Sequence, residues 1–370
     1  MKELRNPIAL RKLLKDIEEK ARLLPRPPRL MEVCGTHTMS LFKHGLTSLL
    51  AEAGVEMVSG PGCPVCITPN GIHEAAIALL TGTEGLTLAA FGDMTRVPTR
   101  KGSLQTAVPA RDSRLRIVYS PEEALDEARR APSREVVFFG AGFETTIPSI
   151  AHTAKRAAAE GLQNFSVLPA LWLVPPALRV ILDAGEVSVD GFIYPGHVSA
   201  VIGAEPYEFV ARDYAVPGAI AGFEPGDILL AVRSVLEQAV EGKPRVAIEY
   251  SRAIGREGNA VARALMDEVF EPYDAVWRGL GMIPRSGLRF RKEYAGCDAR
   301  PRFGLETGGA DRDLPGCRCG DVLRGVVRPE GCRLFGTRCH PDSPLGPCMV
   351  SFEGACFVHF KYGPRRRPRL

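Results

Sequence analysis

The chain has 370 residues, more than twice the common domain size, so two or three domains with separate cores are expected. Its 47 basic and 43 acidic residues leave a formal charge of +4, which gives no mandate for nucleic-acid or membrane binding. The charged start, Met1-Lys2-Glu3-Leu4-Arg5, lacks the apolar core of a secretory signal, and a cytoplasmic protein is expected. Ten cysteines in such a reducing compartment point to metal or redox chemistry rather than a static disulfide framework.

In chain order, an amphipathic helix over Ile8 to Leu24 ends at the Pro25-Arg26-Pro27-Pro28 breaker. Apolar runs at Leu30 to Val33, Val55 to Val58, Leu86 to Phe91 and Leu115 to Tyr119 then read as strands. Helical stretches lie near Met39 to Ala53, Ile72 to Leu80 and Pro121 to Arg130. The pattern begins again with strands at Val136 to Phe139, Phe165 to Leu168, Gly191 to Tyr194 and Gly218 to Ala221, with a helix at Ile150 to Glu160. A helix from Pro225 to Gln238, a strand at Val246 to Tyr250 and a helix at Gly258 to Val269 follow. Strand–helix alternation of this kind predicts parallel sheets. The expected fold is therefore α/β: two similar parallel-sheet domains, 1–125 and 126–240, forming a cleft, and a C-terminal region, 241–370, organised by a cofactor. The run Arg365-Arg366-Arg367 reads as a solvated tail.

Ligands of open α/β sheets bind outside the carboxyl ends of the strands, and polar clusters sit at those ends here. Cys34-Gly35-Thr36-His37 follows the first strand; Cys34 suits either a buried structural thiol or a soft-metal ligand, with His37 as neighbour or structural hydrogen-bonder. Gly60-Pro61-Gly62-Cys63-Pro64-Val65-Cys66 follows the second. Two thiols so spaced can close a small-ring disulfide, and the redox reading of Cys63 and Cys66 is preferred over half of a zinc ribbon. Glu144, after Gly140-Ala141-Gly142-Phe143, and His197, after Tyr194-Pro195-Gly196, are candidate acid–base groups or cleft-lining hydrogen-bonders. The full glycine fingerprint of a nucleotide site is absent, because Thr145 stands at its last glycine position. Near the C-terminus, Cys317, Cys319, Cys332, Cys339, Cys348 and Cys356 lie in a segment with few apolar residues. The set Cys317, Cys332, Cys339 and Cys356 is assigned to a [4Fe-4S] cluster in preference to zinc, leaving Cys319 and Cys348 as redox partners beside it. Cys297 is isolated and carries no assignment.

Taken together, Cys34-Gly35-Thr36-His37, Gly60 to Cys66, Gly142-Phe143-Glu144-Thr145-Thr146, Pro195-Gly196-His197, Gly346-Pro347-Cys348-Met349-Val350 and Gly354-Ala355-Cys356 resemble the HypD family of hydrogenase expression and formation proteins. The resemblance implies a maturation factor for [NiFe] hydrogenases, on which iron carrying two cyanides and carbon monoxide is assembled before transfer to the hydrogenase large subunit. It implies that Cys34 ligates this iron together with a HypC-type small chaperone, that Cys63 and Cys66 form a redox couple fed by the C-terminal [4Fe-4S] cluster, and that HypE, supplied by HypF, delivers cyanide. His37, Glu144 and His197 are then expected to line the assembly cleft. Two other readings compete: an iron–sulfur-dependent thiol–disulfide oxidoreductase in which Cys34 is dispensable, and a non-catalytic scaffold stabilised by zinc.

Overall fold

The computed structural model describes residues 3–307 and 313–363; the basic run at 365–367 lies outside them. Two all-parallel sheets form the body. The first has the strand order β2-β1-β7-β8-β9, built from β1 (Arg29–Glu32), β2 (Glu56–Ser59), β7 (Gly191–Pro195), β8 (Gly218–Ala221) and β9 (Val246–Ile248). The second runs β4-β3-β5-β6, built from β3 (Leu86–Ala90), β4 (Leu115–Ile117), β5 (Glu135–Gly142) and β6 (Phe165–Leu171). β3, β6, β7 and β8 are buried along their whole length. Helices covering both faces of a parallel sheet produce such continuous apolar runs.

The sheets interleave in the chain. It leaves the first sheet after β2, builds the whole second sheet, and returns at β7, so residue 125 falls between β4 and β5 inside the second sheet. A parallel neighbour is reached only through a crossover connection, and periodicity reports each strand without reporting which strand it will pair with. One apolar core joins both sheets, with Met31, Val58, Phe192 and Ile220 in the same cluster as Leu88, Val137 and Phe139.

Pro7–Ala21 forms the first helix, capped by the Asn6 side chain accepting from Ile8 N at 2.9 Å. The long helix expected near Met39 to Ala53 is two helices, Gly35–Lys43 and Leu46–Glu52. They are divided at Gly45, whose φ of 68° lies in the left-handed region that glycine enters without steric cost. An antiparallel hairpin, β10 (Phe270–Trp277) and β11 (Gly281–Phe290), was not apparent in the sequence. It docks on the end of β6, where Leu173 N donates to Ser286 O at 2.8 Å. Among the described residues no helix is long and apolar enough to cross a membrane.

Candidate functional site

β1 delivers Cys34 to the start of helix Gly35–Lys43, where the cysteine holds the extended N-cap position. The turn after β2 lies directly against it. Gly35 N donates to Gly62 O at 3.0 Å, and a Cβ on Gly62 would overlap the Cys34 backbone, so only glycine allows the two turns to meet. Beyond Gly62, Cys63 caps the short helix Pro64–Ile67, its sulfur accepting from Cys66 N at 3.2 Å. Cys63 and Cys66 are joined as a disulfide with a Cα–Cα separation of 5.3 Å.

Glu32 fastens both turns. Its carboxylate accepts from Cys34 N at 2.9 Å and from the Thr38 hydroxyl, and it also bonds Ser59 at the end of β2. Its own carbonyl accepts from Gly60 N at 2.8 Å. Burial pushes its pKa up to about 8, against these hydrogen bonds. Burial likewise pushes the Cys34 thiol up to about 12, and the nearby Glu353 carboxylate adds to the shift. Glu353 is held in place by the Thr36 hydroxyl, which donates to it at 2.7 Å.

His37 is fully buried, with Nε2 donating to Gly222 O at 3.0 Å and Nδ1 without a partner among the described residues. Burial lowers its pKa to about 4, so it is neutral. Its ring tilts against Phe223 at 5.0 Å, and exposed His197 stacks on the same phenyl ring at 3.9 Å. Cys34, His37, His197 and the dithiol turn therefore gather at the carboxyl ends of β1, β2, β7 and β8.

Glu144 belongs to the second sheet, in the loop after β5. Its Oε1 accepts from Val174 N at 2.9 Å, while buried Oε2 has no partner among the described residues. Burial raises it to about 8, so it carries a proton at neutral pH. Buried Tyr207 stacks on Tyr194 at 4.3 Å and accepts from the Ser199 hydroxyl at 3.4 Å, and burial pushes its own hydroxyl well up. No sequence signal marked Tyr207, Glu32 or Glu353.

The C-terminal cysteines share one nest. Cys317, Cys319, Cys332, Cys339 and Cys356 line a small cavity walled by Val322, Leu334, Phe335 and Met349, and Cys348 bonds to Cys319 and Cys356. The Cys339 sulfur accepts from Leu345 N at 3.3 Å. All four residues assigned to the cluster open on this cavity, and Cys319 joins them there. Four thiols within apolar walls fit a thiolate-held iron–sulfur cluster in donor type. Among the described residues no group of three or more His, Cys, Asp or Glu side chains is placed to hold a single metal ion. Cys297 lies elsewhere, buried with its sulfur 3.7 Å from Ala154 O. The dithiol helix Pro64–Ile67 packs on helices Cys319–Leu323 and Pro347–Val350, which carry two of the nest cysteines. Three cysteine groups are thus contiguous: Cys34, the dithiol and the C-terminal nest.

The family model HypD, described as "Hydrogenase formation hypA family", matches residues 9–363. A protein named hydrogenase maturation factor HypD from Rhodobacter capsulatus is 44% identical over 372 residues, covering 98% of each chain. The protein of that name from Rhizobium leguminosarum bv. viciae is 45% identical, covering 95% of this chain and 93% of its own. One from Escherichia coli K12 is 41% identical over 97% of each. With the match spanning both sheets and the C-terminal cysteines, this chain belongs to the HypD family of hydrogenase formation proteins.

Proposed function

We propose that the protein is a [NiFe] hydrogenase maturation factor that serves as scaffold and redox protein for assembly of an iron centre carrying two cyanides and carbon monoxide. What carries this reading is the contiguity of Cys34, the Cys63–Cys66 disulfide and the C-terminal cysteine nest. The iron is cargo, and the Cys34 thiolate is the soft donor that suits a low-spin ferrous ion with strong-field ligands. A HypC-type chaperone supplies the partner thiolate, and HypE, with HypF upstream, supplies cyanide.

Each residue has a physical task. Glu32 and the Gly62 contact hold Cys34 at the helix start, and Phe223 positions His37 and His197 beside it. Neutral His37 keeps one ring nitrogen available to accept a hydrogen bond, and protonated Glu144 holds a proton beyond the end of β5. Cys63 and Cys66 exchange between disulfide and dithiol. Cys317, Cys332, Cys339 and Cys356 would hold the [4Fe-4S] cluster, which when bound supplies single electrons.

Purification without oxygen, followed by metal analysis and Mössbauer spectroscopy, tests the reading. The expected result is four iron atoms per chain in a cubane signal, lost on Cys332→Ala or Cys339→Ala, with additional low-spin ferrous iron when the chaperone copurifies. One zinc and no cubane signal would instead establish the zinc-stabilised scaffold.

A further inference from the structure

Arg278, in the turn between β10 and β11, is among the largest side chains withdrawn from solvent, at 2% exposure. A buried guanidinium is costly unless its donors are matched, and here they are matched on two sides. Toward the dithiol, its backbone N–H donates to Ile67 O at 2.8 Å, Nε to Thr68 O at 3.3 Å, and one terminal nitrogen to Asn70 Oδ1. These acceptors lie just past Cys66. Toward the cysteine nest, the other terminal nitrogen donates to Asp313 Oδ1 at 2.9 Å, and Asp313 Oδ2 accepts from Gly320 N at 3.4 Å, within helix Cys319–Leu323. A Cβ on Gly279 would overlap Gly320, so the hairpin turn sits tightly on that helix.

The charge is felt on the dithiol side. Burial lowers His73 on the dithiol side to about 3, and Arg278 adds to the effect. A cation in a poorly screened interior favours thiolate over disulfide.

We propose that Arg278 is a positioning residue that sets the redox equilibrium of the Cys63–Cys66 pair, its charge favouring the reduced form and Asp313 tempering that charge. The proposal rests on the reading of this pair as a redox couple. With dithiothreitol as reductant, the S–S bond opens to one thiol and one thiolate on uptake of two electrons and one proton; the second proton passes to solvent, and dithiothreitol closes to its cyclic disulfide.

The test is equilibration of the full-length protein against oxidised and reduced dithiothreitol at neutral pH, with the state of Cys63 and Cys66 read by alkylation and peptide mass spectrometry. Arg278→Gln shifts the equilibrium toward disulfide about tenfold, about 30 mV for this two-electron couple. Arg278→Lys keeps the charge and stays within about threefold of the unaltered protein. Asp313→Asn shifts it the opposite way, toward dithiol, which loss of packing alone does not produce. A glutamine variant within about twofold of the unaltered protein overturns the proposal. If that variant does not fold, partly exposed Asp313→Asn decides alone: no shift, or a shift toward disulfide, overturns it. Failure of the unaltered pair to cycle reversibly would overturn the redox reading itself, whereas reversible cycling with unmoved variants removes only the role of Arg278.

Discussion

Glu144 shows how far burial alone moves a side chain in this protein. Its carboxyl is bonded by backbone N–H groups, its own and that of Val174, with no countercharge bonded to it among the described residues, so burial raises its pKa from 4.5 to about 8. The folded state thus binds the proton more tightly than the unfolded chain. The stability it contributes is complete below about pH 4.5 and is lost progressively as pH rises to about 8, falling by roughly 1.4 kcal/mol for each pH step of one across that window. Glu144→Gln, which mimics the protonated acid, should flatten this decline by a few kcal/mol in urea titrations across that range; an unchanged slope would contradict a buried, neutral Glu144. At this scale the cysteines, His37, Glu144 and His197 were legible because strand-end position and spacing single them out. Glu32, Glu353, Tyr207 and Arg278 were not, because their importance comes from burial beside groups distant in the chain. Arg278 meets Thr68 and Asn70 across more than two hundred residues.

Among the elements, the contact of Gly62 with Cys34 does the most to define the site. Gly62→Ala places a methyl group into the Cys34 backbone and should cost about 1–3 kcal/mol, the usual penalty of overpacking. The measurement is chemical unfolding of the variant, and unchanged stability would mean that the two turns are not in contact. The parallel strands were readable because short, uniformly apolar runs bounded by glycine, proline or polar clusters have few other solutions. Helix Pro121–Arg130 was equally plain, with Ser120 as cap, acids first and bases last. The β10–β11 hairpin was obscure because Pro272, Asp274, Pro284 and Arg285 interrupt its alternation. Its buried side chains, Trp277 and Ile283 among them, acquire a core only once the hairpin docks on β6.

For the whole molecule, two parallel sheets were expected and are present, but their interleaving was not legible. Strand pairing is decided by crossovers and by the shared core, not by the order of apolar runs. That interleaving has a functional consequence. Because β1 lies between β2 and β7 in one sheet, Cys34 has the dithiol turn on one side and His37, Phe223 and His197 on the other, while the C-terminal helices pack on the dithiol helix. The central claim is that Cys34 is the protein's ligand to an iron centre assembled at this meeting point. Infrared spectroscopy of the protein copurified anaerobically with the proposed HypC-type chaperone tests it most directly. Bands of iron-bound cyanide and carbon monoxide are predicted for the unaltered protein, together with their loss in Cys34→Ala; retention of those bands in the variant would contradict the claim.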